Sequence, residues 1–248
     1  MPRKKRSDLP DGAFHVIAHA VASEPLFYDN VDCRRYLGLL QLAVERYRWK
    51  VFTFVLMGNH VHLLVEATTR DLSRALWWLH WNYASYLLDR HPPRRGHVFE
   101  GRPKTLPIAD DRYFLAVARY IANNPVVARV CAAPEQYRWS AHRAILGVSP
   151  PAPIVADAEL LGWFGRDAER ARARYDAFVT GADPAEHAAI RLWAGGPSPT
   201  RPPLEEILVE GSVESIRCAH TEWGYSMRAI ASALGLSHPT VAKQIGGE

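Results

Sequence analysis

The sequence is poor in cysteine, with 3 among 248 residues. Cys33, Cys131 and Cys218 lie far apart and form no Cys-x-x-Cys pair. That argues against a zinc ribbon and a disulfide framework, and it predicts a reduced, cytoplasmic protein. No run approaches the roughly 18 uninterrupted apolar residues of a membrane span, so no membrane partner is expected. The basic start, Met1-Pro2-Arg3-Lys4-Lys5-Arg6, is not followed by the apolar core of a secretion signal. Internal repeats and coiled-coil heptads are absent. There is no acidic excess either: 30 Lys and Arg face 26 Asp and Glu, a formal charge of +4. What is present is ordinary globular composition, 48% hydrophobic and 23% charged, which excludes a disordered or collagenous chain. The length suffices for one large domain or two modest ones.

The cations are clustered. Arg3, Lys4, Lys5 and Arg6 form one group; Arg90, Arg94, Arg95, Arg102 and Lys104 form another. Either group can serve a polyanion or simply solubilise a surface, and charge alone leaves both open.

Residues Ala13 to Val21 read as a strand, and Val31 to Arg48 as a helix with Tyr36, Leu37, Leu40, Val44 and Tyr47 on one face. Val51 to Met57 and His60 to Ala67 are strands joined through Gly58-Asn59, a hairpin signal. Asp71 to Asp89 is a second helix. Val98-Phe99 and Lys104 to Ile108 are short strand pieces. Asp110 to Asn124 is a third helix, capped by Asp110 or Asp111 and ended by Pro125. Pro134 to Leu146 reads as a fourth. The order predicts an α+β fold, a ferredoxin-like four-stranded antiparallel sheet with helices on one face. Ser149 to Pro153 marks a boundary, Asp157 to Thr180 is charged and helical, and Gly195 to Pro203 reads as a linker. The expected division is a domain over 1–150, a helical, proline-rich connector over 151–203 and an all-α module over 204–248.

Chemistry centres on His60-Val61-His62. Residues two apart on a strand share a face, so two imidazoles project together while Val61, Leu63 and Val65 face the other way. Neutral histidines so placed suit a divalent metal, although such a pair also occurs in structural roles. Tyr120 and Asn124 lie at i and i+4 on a helix and share a face. Tyr120 is a possible nucleophile and Asn124 a possible amide ligand; Tyr113, Val117 and Tyr120 equally form a packing stripe. A phenol has a pKa near 10, so attack at neutral pH needs a base or a nearby cation.

Three stretches stand in one order: Leu56-Met57-Gly58-Asn59-His60-Val61-His62-Leu63-Leu64, then Gly96-His97-Val98-Phe99-Glu100-Gly101-Arg102, then Arg119-Tyr120-Ile121-Ala122-Asn123-Asn124-Pro125-Val126. Together they resemble the REP-associated tyrosine transposases, of the single-tyrosine, His-hydrophobic-His (HUH) class, from about Ala13 to Gly147. Trp139-Ser140 fits the family's usual ending. The resemblance implies a metal-dependent endonuclease and strand transferase acting on single-stranded or hairpin DNA. It makes His60 and His62 the metal pair, Asn124 a third ligand and Tyr120 the nucleophile of a 5′-phosphotyrosine intermediate, with Mg²⁺ or Mn²⁺ as the ion. The sequence departs from the family at Gly58, where proline is usual, at Glu100 and Pro103 in the middle motif, and at Ala18-His19-Ala20.

Arg94, Arg95, Arg102 and Lys104 are candidate phosphate contacts between the metal strand and the tyrosine helix. Trp77, Trp78 and Trp81 crowd one helix; an exposed indole suits stacking on bases, and a buried one suits a core. His19 and His97 are candidates for the neighbourhood of the site. Near the C-terminus, Ser226 to Val241 looks like a helix-turn-helix. Met227, Ile230 and Leu234 would face its core, Gly235 would make the turn, and Ser237, His238, Thr240 and Lys243 would face duplex DNA. The alternative function is a catalytically silent DNA-binding or regulatory protein of the same fold. A monomer and a homodimer both fit the sequence.

Overall fold

The computed structural model describes residues 9–92, 94–181 and 184–194, and, in the C-terminal part, residues 204, 208, 212, 213, 215, 216, 227–236, 240 and 241. The chain divides into two compact units, Met1–Ala182 and Asp183–Glu248.

The first unit opens with β1 (Gly12–His19), α1 (Asn30–Tyr47), β2 (Lys50–Met57), β3 (His60–Ala67), α2 (Thr69–Arg90), β4 (Lys104–Pro107) and α3 (Asp111–Val127). The strands form one antiparallel sheet in the order β2-β3-β1-β4. This is the β-α-β-β-α-β arrangement that the sequence pattern predicts. The two-residue turn at Gly58-Asn59 sets Met57 opposite His60 and so fixes which face each β3 side chain takes. Caps start the helices where they begin. The Asp29 carboxylate accepts from the Val31 and Asp32 amides, the Thr68 hydroxyl from Asp71, and the Asp110 carboxylate from Tyr113.

The strands are buried at consecutive positions, so both sheet faces are covered. The expectation of helices on one face is therefore corrected. The α1 and α2 helices pack together through Tyr36, Leu40, Leu76, Leu79 and Tyr83, all almost fully buried. Helix α3 contacts β2 and β3 and covers the histidine-bearing face.

Other expectations also shift. Pro125 does not end α3, which runs to Val127 because the Ala128 amide still closes on the Asn124 carbonyl; the proline removes one donor without breaking the helix. The Val98-Phe99 strand reduces to a single bridge between Ala20 and Phe99. Pro134 to Leu146 is not one helix: a 3-10 turn at Pro134–Gln136 and the short α4 (His142–Ile145) flank a bridge from Ser140 to Val55 on β2. Asp157 to Thr180 is two helices, α5 (Asp157–Gly162) and α6 (Ala168–Thr180), separated where Gly165 takes φ +142°. These helices belong to the first unit, so the expected boundary at 150 falls inside it. Val155 bridges to Val51, and Ala171, Tyr175 and Val179 are buried.

In the second unit, α7 spans Pro184–Ala194 and α8 spans Met227–Leu234. Leu208, Ile216, Ile230, Ala231 and Val241 form a small core with Leu204 and Leu234 against it. Gly235 (φ +65°) ends α8, and the Leu236 amide bonds back to Ala231. The expected linker at 195–203 lies outside the described residues.

Candidate active site

Register builds the site. In the β1–β3 pair His19 lies opposite His60, and Ile17 opposite His62. Directly opposed residues share a face, so His15 stands diagonal to His62 and four imidazoles form a row. Ring centroids are 5.4 Å apart for His19–His60, 5.0 Å for His60–His62 and 5.2 Å for His15–His62. His15 Nε2 and His62 Nδ1 are hydrogen-bonded at 3.0 Å. Over this row α3 lays Tyr120 and Asn124, one turn apart. The Tyr120 ring meets His62 edge-on at 5.3 Å and His15 at 5.7 Å. The Asn124 amide reaches both metal-candidate histidines: Oδ1 is 3.4 Å from His60 Nε2, and Nδ2 is 3.4 Å from His62 Nε2. The structure thus brings Tyr120, His60, His62 and Asn124 together.

The site is dry. Tyr120 is 2% exposed, and His15, His62 and Asn124 are buried. Burial pushes the His15 imidazole down to about 3. It pushes His60 down to about 4, helped by the neighbouring His19 and opposed by the Asn124 hydrogen bond. His19 is also lowered, by burial first and then by Lys104, with Glu100 acting the other way. His15, His19 and His60 are thus held in the neutral form, the state in which imidazole nitrogens can ligate a cation.

Proton bookkeeping favours a cation at this point. A neutral imidazole carries one N–H. A neutral His60 ring can donate to only one of its two neighbours; if the shorter contact, Nδ1 to the Asn59 amide oxygen at 2.7 Å, takes the proton, the 3.4 Å contact to Asn124 Oδ1 loses its donor. His60 Nε2 is then a bare lone pair facing another acceptor, Asn124 Oδ1. Two acceptors facing each other lack a positive partner. If His62 Nδ1 donates to His15 Nε2, His62 Nε2 is bare as well. The donor set therefore fits a divalent cation held by two imidazoles and one amide, with waters and substrate oxygens completing it. Among the described residues no group of three or more His, Cys, Asp or Glu side chains could hold a metal ion, so a cation here would also draw on the Asn124 amide.

His15 was not foreseen. The signal was there: His15 and His19 share the parity of His60 and His62 once β1 pairs with β3, but only the register reveals it. His97 is exposed and lies outside the row.

The expected phosphate contacts divide. Arg94 is a correction: it is buried, donates to the Pro25 carbonyl and, at 3.3 Å, to the Val98 carbonyl, and faces Glu24 at 3.2 Å. It pins a loop and is not available to DNA. Arg95 and Arg102 are exposed, while Lys104 is half-buried near His19. Thr240 is exposed on a helical turn; Ser237, His238, Lys243 and the basic cluster at Arg3 to Arg6 lie outside the described residues.

Residues 9–124 match the transposase IS200-like family. The matched segment takes in both histidines, the tyrosine and, at its last position, the asparagine. No curated protein matches the chain. Among solved structures, the fold is similar to a REP-associated tyrosine transposase bound to a REP hairpin, with a TM-score of 0.50 and 14% identity over 60% of this chain and 89% of that one. A transposase candidate from Deinococcus radiodurans aligns at 19% identity over 49% of this chain and 97% of that one, with a TM-score of 0.34. The first likeness is one of fold; the residues of the site carry the rest.

Proposed function

We propose that the IS200-like domain is a transposase that cuts and rejoins single DNA strands, with Tyr120 as nucleophile and with His60, His62 and Asn124 holding Mg²⁺ or Mn²⁺. The observation that carries this is the Asn124 amide, 3.4 Å from both imidazoles, on the same helix face as a phenol packed against His62. The Tyr120 oxygen attacks a backbone phosphorus, and the bond to the 3′ oxygen breaks. The phenol loses its proton, the departing oxygen gains one, and the 5′ end is left on the tyrosine. A later 3′-hydroxyl reverses the exchange and reseals a strand, because the phosphotyrosine keeps the phosphodiester's energy. His60, His62 and Asn124 would hold the cation, which when bound would supply polarisation of the phosphoryl oxygen and offset the charge that develops there. His15 fixes the tautomer of His62, and Asn59 that of His60. The substrate class, hairpin or single-stranded DNA, follows the relative bound to a REP hairpin. For the second unit, the turn at Gly235 and the small core around Ile230 support a helix-turn-helix that reads duplex DNA.

The burial of Tyr120 favours one second reading, a silent DNA-binding protein. Incubation of the full chain with a labelled hairpin and Mn²⁺ separates the two. The transposase reading expects a covalent protein–DNA adduct that Tyr120→Phe abolishes while DNA binding survives. Adduct retained in that variant, or binding without adduct in the wild type, defeats it.

A further inference from the structure

Away from the imidazole row, α2 carries a feature that the chemistry above does not use. Trp77 and Trp81 are 66% and 61% exposed, an unusual state for two large aromatic side chains one turn apart. Their rings lie nearly parallel, 15° between planes and 6.0 Å between centroids. Neither serves the core, which α2 supplies through Leu72, Leu76, Leu79 and Tyr83. At helical spacing Arg70, Arg74, Trp77 and Trp81 fall in one row, and both arginines are exposed. The acidic residues of α2, Asp71 and Asp89, fall about a quarter-turn off that row.

The indoles form one wall of a groove of about 1080 Å³. The opposite wall is the 96–103 segment, with Val98, Phe99 and the exposed Arg102. His80 floors it, its ring 4.3 Å from that of Phe99. The same segment borders the imidazole row: the Glu100 amide donates to the His19 carbonyl, and the Phe99 backbone bridges to Ala20. Groove and candidate active site are thus separated by one thickness of loop.

We infer that this groove binds unpaired bases of the DNA strand, stacked on Trp77 and Trp81, with Arg70, Arg74 and Arg102 along its phosphates. Flat, exposed, near-parallel aromatic faces beside a run of cations match the chemistry of a single strand. Every base offers a π-face, and the backbone offers one charge per nucleotide. A duplex hides its base faces and cannot use the indoles. A protein partner would leave the aligned cations without a counterpart. The inference rests on the proposed DNA function and adds a second point of contact to it, one that holds single-stranded flanks rather than the bond being cut.

The test uses the full chain and fluorescence anisotropy with two probes, an unstructured oligothymidine and a blunt duplex of equal length. A Trp77→Ser/Trp81→Ser double variant, altered only at exposed side chains, should bind the oligothymidine at least roughly fivefold more weakly, and its duplex affinity should not move. Arg70→Ala and Arg74→Ala should each flatten the salt dependence for the single strand by about 0.7 in log–log slope. Equal single-strand affinity in the double variant overturns the inference; if the wild type still forms the tyrosine adduct, the catalytic reading survives that result. A wild type that neither binds DNA nor forms an adduct removes both. Light scattering is run alongside: a wild-type dimer that the double variant splits, with oligothymidine binding unchanged, assigns the groove to self-association and overturns the inference.

Discussion

At the residue scale the least legible part of the site is His15. It is fully buried, sits 45 positions before His60, and belongs to no short motif. Its partnership with His62 exists only because β1 pairs antiparallel with β3 in one register, and a sequence read strand by strand does not contain that register. By contrast local spacing puts His60 with His62 on one strand face and Tyr120 with Asn124 on one helix face, and the family resemblance implied that the two faces meet. On the proposed reading His15 accepts a hydrogen bond from Nδ1–H of His62 and so leaves Nε2 unprotonated toward Asn124. His15→Leu should therefore weaken Mn²⁺ binding to the full chain by roughly 10- to 100-fold, the usual cost of losing a partner that orients a ligating histidine. His15→Gln, whose amide oxygen can accept the same proton, should recover part of the loss. Isothermal titration with Mn²⁺ checks both; equal affinity in His15→Leu refutes the assigned tautomer.

At the element scale the first helix pair is held by a buried carboxylate. Asp32, on α1, is 0% exposed. It accepts from Arg90 and Tyr86 of α2, from the Tyr28 amide and, at 3.3 Å, from His91. Burial opposes its ionisation, but these donors together hold its pKa below the ordinary value. A depressed carboxylate pKa contributes stability that is complete above the unfolded value of 3.8 and is lost as pH falls below it. Arg90→Ala removes a charged donor from a buried anion, so it should lower the melting temperature by several degrees at pH 7. The deficit should shrink below about pH 4, where the wild type loses the same interaction. Thermal unfolding across that range measures it. The sequence showed the helices, since spacing by threes and fours is a local property, but the buried face of α1 runs through Cys33, Tyr36, Leu39, Leu40 and Ala43 and leaves the expected Leu37, Val44 and Tyr47 half-buried. It did not show this clamp, because Asp32 and Arg90 are polar residues far apart in the chain and no local pattern reports their pairing.

At the scale of the whole molecule the instructive element is α6. Its charged, Ala/Arg-rich sequence reads as connector, yet Ala171, Tyr175 and Val179, spaced by four, are buried in the first unit. That spacing was the available signal, and the surrounding charges masked it. The helix touches α3 beside the candidate site: Asn123 Nδ2 donates to the Val179 carbonyl at 2.9 Å, and the Arg119 guanidinium lies 4.3 Å from the Phe178 ring centroid. Asn123 precedes Asn124 and Arg119 precedes Tyr120, so α6 grips the helix at both of the turns to which the chemistry is proposed to belong. Residues 151–181 are on this view part of the catalytic unit rather than a tether. A chain cut after 182, at the boundary between the two units, should unfold cooperatively and keep the tyrosine adduct. A chain cut after 150 should expose the apolar seat of Tyr175 and Val179, melt at lower temperature and lose most of the adduct. Circular dichroism melts and the hairpin assay on the two truncations decide it. If the shorter chain matched the longer in both, α6 would be an ornament of the fold, and the positioning of Tyr120 and Asn124 would have to be credited to the sheet alone.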